Sequence, residues 1–172
     1  MSKKYLLFSI LIFIIIASKF IWIDRFPPGM QHDEIEYVLS SKTYQLFGTD
    51  ISGAHFPASL FKTNTSGKIS PIPSLFFAPI WNVAPMNMMT VRIAYSLLNV
   101  ITSFAFGWFI YILFKKKSMA FLGIILFLLN PWSLFLSRQA IDAVFALIFY
   151  LLGVTVLLKG TKKSYIISLL LF

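Results

Sequence analysis

Asp33, Glu34 and Glu36 form the densest group of acids in the chain, directly after His32. On a helix, Asp33 and Glu36 face the same way, while Glu34 points about 100° aside. Two roles suit that spacing. Asp33 as N-cap with Glu36 three residues on makes a capping box, and acids are favoured at a helix N-terminus. The alternative is acid–base chemistry by a carboxylate, which needs something else to bring a substrate to this spot. A second group, Arg138 and Asp142, is spaced by one helical turn. It reads either as an interfacial ion pair with a snorkelling arginine or as a working pair. An acid in a span costs about 2.5–3.5 kcal/mol at the bilayer centre, less near an interface, so it usually has a partner or a task. His32 and His55, with Asp33, Glu36 and Asp50, offer metal-ligand atoms. No spacing among them matches a known ligand set, so no metal is expected and a divalent cation is the lesser alternative. The chain has no cysteine, which excludes disulfides, thiolate metal sites and cysteine nucleophiles together. It also has no Gly-rich phosphate loop and no G-x-S-x-G elbow.

Composition narrows what elements can hold these residues. Of 172 residues, 58% are hydrophobic, 17% aromatic and only 12% charged, with a mean hydropathy of +0.82. A soluble domain is nearer half apolar and a quarter charged, and a disordered chain is poor in apolar residues. Both classes are excluded. Four apolar runs, 5–23, 93–114, 119–136 and 140–158, come near the ~20 residues that cross a hydrocarbon core as a helix. Asn130-Pro131 predicts a kink or break in the third. A fifth run opens at Tyr165 and reaches Phe172, about 12 Å at ~1.5 Å per residue. The chain therefore reads as the N-terminal part of a larger protein. The expected fold is an all-α polytopic membrane protein. Residues 1–23 form the first span and 24–92 an outer loop with a juxtamembrane helix at 33–47. Residues 93–158 hold three further spans, and 159–172 a cytoplasmic turn and a truncated fifth helix.

Charge placement sets the sidedness. Lys3, Lys4, Lys115, Lys116, Lys117, Lys159, Lys162 and Lys163 are eight of the fifteen basic residues and have no acid beside them. The positive-inside rule makes their segments, and the N-terminus, cytoplasmic. All six acids fall on the other side: Asp24, Asp33, Glu34, Glu36 and Asp50 in the loop, and Asp142 at the start of the fourth span. Arg25, Lys42, Lys62, Lys68 and Arg92 balance the loop's acids. The net charge of +9 is thus a topology signal, and nucleic acid is not an expected partner. No A-x-A-like cleavage site follows the first run, so it is read as a retained span rather than a signal peptide. The loop lies outside in either case.

Within the loop, Pro27-Pro28-Gly29 marks a bend. Ile35, Val38, Leu39 and Leu46 then share one face at helical spacing, with Gly48 as a stop. Such a helix, with Tyr37 and Tyr44 beside its stripe, suits the membrane surface. The apolar stretch 72–81 is broken by Pro73 and Pro79 and is expected in the interface. Arg92 reads as an anchor for the second span, and Trp22, Trp81 and Trp132 as an aromatic belt.

The order of these features resembles the N-terminal part of the GT-C membrane glycosyltransferases, the group with the protein O-mannosyltransferases and the lipid A aminoarabinose transferases. The stretches that carry the resemblance are Asp33-Glu34-Ile35-Glu36-Tyr37, Gly48-Thr49-Asp50, Gly67-Lys68-Ile69-Ser70-Pro71 and Val91-Arg92-Ile93. Asn130-Pro131 and the run Ser137-Arg138-Gln139-Ala140-Ile141-Asp142 complete the set. The resemblance implies transfer of a sugar from a polyprenyl-phosphate carrier to a protein, lipid or glycan acceptor at the outer face of the cytoplasmic membrane. It makes Asp33 the general base on the acceptor hydroxyl, with Glu34 or Glu36 orienting it. The departing lipid phosphate gathers negative charge and needs a basic clamp. The resemblance assigns Lys68, Arg138 and Asp142 to that headgroup site. Lys68 stands here in Lys-Ile-Ser-Pro, where the aminoarabinose transferases have Lys-Pro-Pro, which leaves its register open.

Two other readings compete. A transporter fragment would carry charges near mid-span, whereas nearly all charges here sit at interfaces or in one loop. A non-catalytic membrane module would keep Asp33 only as a cap, a role Asn fills equally well. The sidedness has a direct check in a chain without cysteine. A single cysteine placed within 33–36 should react with a membrane-impermeant maleimide added to intact cells. Reaction only from the cytosolic face would remove the outer-face assignment, and the sugar-transfer expectation with it.

Overall fold

The apolar runs become helices whose ends are set by local chemistry rather than by hydropathy. The computed structural model describes residues 3–55 and 70–171. They fold as α1 (Lys3–Ser18), α2 (His32–Phe47), α3 (Pro71–Phe77), a 3-10 turn (Ile80–Asn82), α4 (Met88–Phe114), α5 (Lys117–Leu129), α6 (Pro131–Leu136), α7 (Ala143–Leu157) and α8 (Lys162–Leu171). The chain is all-α: among the described residues there is no strand, only an isolated bridge between Thr49 and His55.

Among the described residues one helix is long and apolar enough to cross a membrane, α4 with 27 residues, about 40 Å at ~1.5 Å per residue. The expected first span stops early. The Ser18 hydroxyl donates to the Ile15 carbonyl at 2.7 Å, and the amides of Lys19, Phe20 and Ile21 tighten to carbonyls three residues back. Asn130 breaks the expected third span. It sits before a proline and is extended (φ −61°, ψ 128°), as its position demands. Its side chain then caps α6 by accepting from the Trp132 amide at 2.9 Å, with Pro131 in the first turn. The shorter apolar helices, Tyr5–Ser18, Lys117–Leu129 and Ala143–Leu157, each reach less than the ~30 Å of a hydrocarbon core.

The chain forms two compact units. Unit 1 comprises Met1–Ile21, Ser96–Ser137 and Ala146–Phe172. In it α1 packs on α5 through Ile12, Ile15, Ile124, Ile125 and Leu128, and Phe8 stacks on Phe121. Glycines let α4 and α5 approach closely. A Cβ on Gly107 would stand 2.7 Å from Ile124 Cδ1 and 3.3 Å from the Ala120 carbonyl, and one on Gly123 3.0 Å from Ile110 Cγ1. The Lys19 ammonium is buried, donating to Ser133 Oγ at 3.3 Å, and that hydroxyl donates to Asn99 Oδ1 at 2.9 Å. The Ser168 hydroxyl ties α8 to α7 through the Gly153 carbonyl at 3.0 Å.

Unit 2 comprises Trp22–Tyr95 and Arg138–Phe145. Here α2 packs on α3 and the 3-10 turn. Trp81 Nε1 donates to Ser41 Oγ at 2.6 Å, and Gln45 Nε2 to Asn82 Oδ1 at 2.9 Å. Phe77 stacks between Trp81 and Tyr95, and Phe145 meets Phe76 and Tyr95 edge-on. Trp81 is therefore a core residue and not part of a belt, whereas Trp22 and Trp132 are exposed. The stretch 72–81 is likewise folded onto α2, with Pro73, Ser74 and Phe77 buried. Gly48 ends α2 in the left-handed conformation (φ 70°) and donates its amide to the Tyr44 carbonyl, the ordinary use of glycine at this position.

The close approach of α4 and α5 predicts a graded response. Gly107→Val should lower the unfolding midpoint in detergent by an amount equivalent to about 1–3 kcal/mol, with Gly107→Ala in between. An unchanged midpoint for both would mean that the two helices do not pack at Gly107.

Candidate functional site

The start of α2 is arranged differently from the expected capping box. The N-cap is Gln31 and the helix opens at His32, so Glu34, not Glu36, is the third helical residue. The Gln31 amide donates to Glu34 Oε2 at 2.8 Å. The other carboxylate oxygen, Oε1, accepts the amide of Ala140 at 2.7 Å, 106 residues further along. Glu34 is 1% exposed and lies close enough to Arg92 for the two charges to act on each other. Both of its oxygens are thus committed to backbone amides, and it fixes the segment 138–142 against the head of α2.

Asp33 carries no cap in this arrangement. It is exposed, with Oδ1 3.9 Å from His32 Nδ1, and His32 Nδ1 lies 3.9 Å from Glu36 Oε1. Glu36 is mostly covered, at 15% side-chain exposure. Asp33 and Glu34 are therefore neighbours in sequence with opposite fates.

Arg92 is buried and gathers carbonyls of the turn before α2. Nη1 donates to Ile23 O at 2.9 Å, and Nη2 to Gly29 O at 2.8 Å and to Pro27 O. It stitches the 23–29 turn and does not reach outward as the expected anchor would. Its buried Nε has no hydrogen-bond partner. Arg138 points toward the same turn, donating to Phe26 O at a long 3.4 Å and lying 6.0 Å over the Phe26 ring. Burial, and then the Arg92 charge, hold its guanidinium below the usual arginine range. Residues 137–142 are not helical, so Arg138 and Asp142 are not stacked by one turn, which corrects the ion-pair geometry read from their spacing. Asp142 is exposed at the entry to α7, its carbonyl accepting the Phe145 amide at 2.9 Å.

Two tyrosines complete the site. Tyr37 is 4% exposed. Its hydroxyl is pushed up to about 12 by burial first, then by the charges of Asp142 and Asp33, with a backbone hydrogen bond at Ser70 opposing the shift. It stays a neutral donor across the physiological range. Tyr95 is fully buried on α4, faces the charges of Asp142 and Glu34, and leaves its hydroxyl unpartnered, as does buried Ser74. The sequence singled out Tyr37 only as a neighbour of the apolar stripe and passed over Tyr95. The available signal was that Tyr37 follows Asp33 by one helical turn.

The structure thus brings Asp33, Glu34, Glu36, Arg138 and Asp142 into one unit. Lys68 lies outside the described residues. Among the described residues no three His, Asp or Glu side chains are grouped to hold a metal ion. His55 is instead engaged with the Gly48 carbonyl, its Nδ1 at 3.2 Å. Comparison with protein-family models, curated proteins and solved structures finds no match.

The contrast between neighbours is measurable. Glu34→Ala strands the buried Ala140 amide and the half-buried Gln31 amide, and Glu34→Gln turns an amide donor toward one of them, so each should cost about 1–3 kcal/mol in detergent unfolding. Asp33→Asn should stay within about 0.5 kcal/mol. A loss at Asp33 equal to that at Glu34 would place Asp33 in the same structural network.

Proposed function

We propose that this chain belongs to a GT-C-type glycosyltransferase that moves a sugar from a polyprenyl-phosphate carrier to an acceptor hydroxyl at the outer face of the cytoplasmic membrane. In this reading the chain is a multi-pass membrane protein with a cytoplasmic N-terminus, and the head of α2 faces outward. The observation that carries it is the hydrogen bond from the Ala140 amide to Glu34 Oε1. It joins the Asp33–Tyr37 segment to the Arg138–Asp142 segment, the two parts that such a reaction needs side by side.

The chemistry divides among them as follows. Asp33 takes the proton from the acceptor hydroxyl as the oxygen attacks the anomeric carbon. The new carbon–oxygen bond forms as the bond to the carrier phosphate breaks, so the configuration inverts and the phosphate leaves with the electron pair. The freed phosphate gathers negative charge, and a guanidinium already out of water, Arg138, meets that charge at little reorganisation cost. Lys68 joins the phosphate side, with Asp142 bounding the headgroup. Glu34 positions rather than reacts, since its oxygens are occupied. Asp33 suits the base role because it is exposed and caps nothing.

The test uses membranes carrying the full gene product and radiolabelled polyprenyl-phosphate hexose and pentose donors. The wild type should release carrier phosphate and label an acceptor. Asp33→Asn should reduce transfer by about 10²–10⁴-fold, the usual range for losing a general base, with membrane insertion unchanged. Undiminished transfer by Asp33→Asn removes that residue from the mechanism. A wild type that consumes none of the donors overturns the reading.

A further inference from the structure

The amphipathic stripe of α2 points away from the core of unit 2. The buried face carries Glu34, Tyr37, Val38, Ser40, Ser41 and Tyr44. Ile35, Leu39 and Leu46 share the opposite face and are 45%, 49% and 57% exposed. In water this inversion leaves apolar area exposed that burial would have stabilised. Beside the stripe is a groove of about 190 Å³, in which Met30, Met86 and Met88 meet Ile35, Val38 and Leu39. Its one polar lining residue is Asn87, and that side chain is already used to cap α4, accepting the Thr90 amide at 2.8 Å.

We propose that this groove binds one acyl chain of a bilayer phospholipid. Three observations select that occupant. The first is continuity with the membrane helix: Met88, which lines the groove, is the first residue of α4, the helix long and apolar enough to cross a bilayer. The second is exposed apolar area in the segments that supply the lining: Val83, Met86 and Met89 on the approach to and start of α4, and Leu46 and Phe47 at the end of α2, are all exposed, as suits the headgroup–acyl boundary. The third is charge. Lys42 falls on the same face of α2 as Ile35 and Leu39, whereas Glu34 and Glu36 fall elsewhere. Its half-buried ammonium donates to Gln45 Oε1 and has two further N–H donors, so a cation stands on the face where a lipid phosphate would lie. Methionine walls suit a flexible chain, because their unbranched side chains adapt to its shape. The proposal stands apart from the sugar-transfer reading and holds or fails without it.

The experiment replaces methionine with photo-methionine in the full gene product, reconstituted in phosphatidylethanolamine–phosphatidylglycerol vesicles. After illumination, mass spectrometry should find phospholipid adducts on residues 30, 86 and 88. Leu39→Trp, which crowds the groove from its exposed edge, should reduce the adduct at residue 30 while leaving that at Met89, which lies outside the lining. Water insertion alone at residue 30 would show a wet groove, and crosslinks from it to peptide would show a protein cover; either overturns the proposal. So does lipid labelling of residue 30 that Leu39→Trp leaves unchanged.

Discussion

Glu34 keeps a negative charge out of water, which is costly unless donors and an opposite charge surround it. Two backbone amides, those of Gln31 and Ala140, meet its two oxygens, and the Arg92 charge stands nearby. Arg92 in turn reaches the carbonyls of Ile23, Pro27 and Gly29. One carboxylate and one guanidinium therefore settle where three stretches of chain lie within unit 2: the 23–29 turn, the head of α2 and the segment that enters α7. Such a pair supplies direction more than net stability. Apolar replacements could fill the same volume, but nothing apolar would specify which amide meets which oxygen.

This commitment of Glu34 explains the availability of its neighbours. Acids at a helix start usually have a structural task ready for them, because the first turn leaves amides without partners. Here Glu34 already meets the Gln31 amide, and Asp33 is left at the surface. Asp142 is likewise exposed at the other end of the Glu34 tie. Tyr37 lies behind both and feels both charges. Under the proposed reading, such an arrangement would leave a base reachable while its support stays packed.

The legible parts of the sequence were those fixed by short-range chemistry. Pro131 behind Asn130 broke the apolar run where proline must break it, and Gly48 closed α2 with the positive φ that glycine tolerates. The face shared by Ile35, Leu39 and Leu46 was also readable, although Val38, read as part of that stripe, is buried with Tyr37 and Tyr44. The start of α2 was not. The chain contains two frames of the same spacing, Gln31 to Glu34 and Asp33 to Glu36, and N-cap preference favours aspartate. The amide of Ala140, more than a hundred residues away, selects the first frame, and no local rule contains that information. The outward direction of the α2 stripe was expected from its fit to a membrane surface, not from its spacing. Periodicity states which residues share a face, and the medium decides whether that face turns inward. Run length overestimated α1 similarly, because hydropathy continues through Lys19 while the backbone has already left the α-helix.

The division into two units also separates the charges. All six acids of the chain fall in unit 2, where six basic residues balance them; unit 1 has nine lysines and no acid. The polar groups of unit 1 mostly turn back on their own helices: the hydroxyls of Ser18, Thr102, Ser103 and Thr155 donate to carbonyls three or four residues earlier. Side chains satisfied in this way present nothing to a ligand and permit close helix packing in an apolar surrounding. In unit 2 Ser41 and Thr43 do the same, while Glu34, Arg92, Gln45 and Trp81 join distant segments. All the Asp and Glu side chains therefore lie in the unit whose polar groups bridge separate stretches of chain. Within unit 2, residues 34 and 140 are brought together by contacts of that unit alone: the Ala140 amide on Glu34 Oε1 and the Arg92 guanidinium on the 23–29 turn.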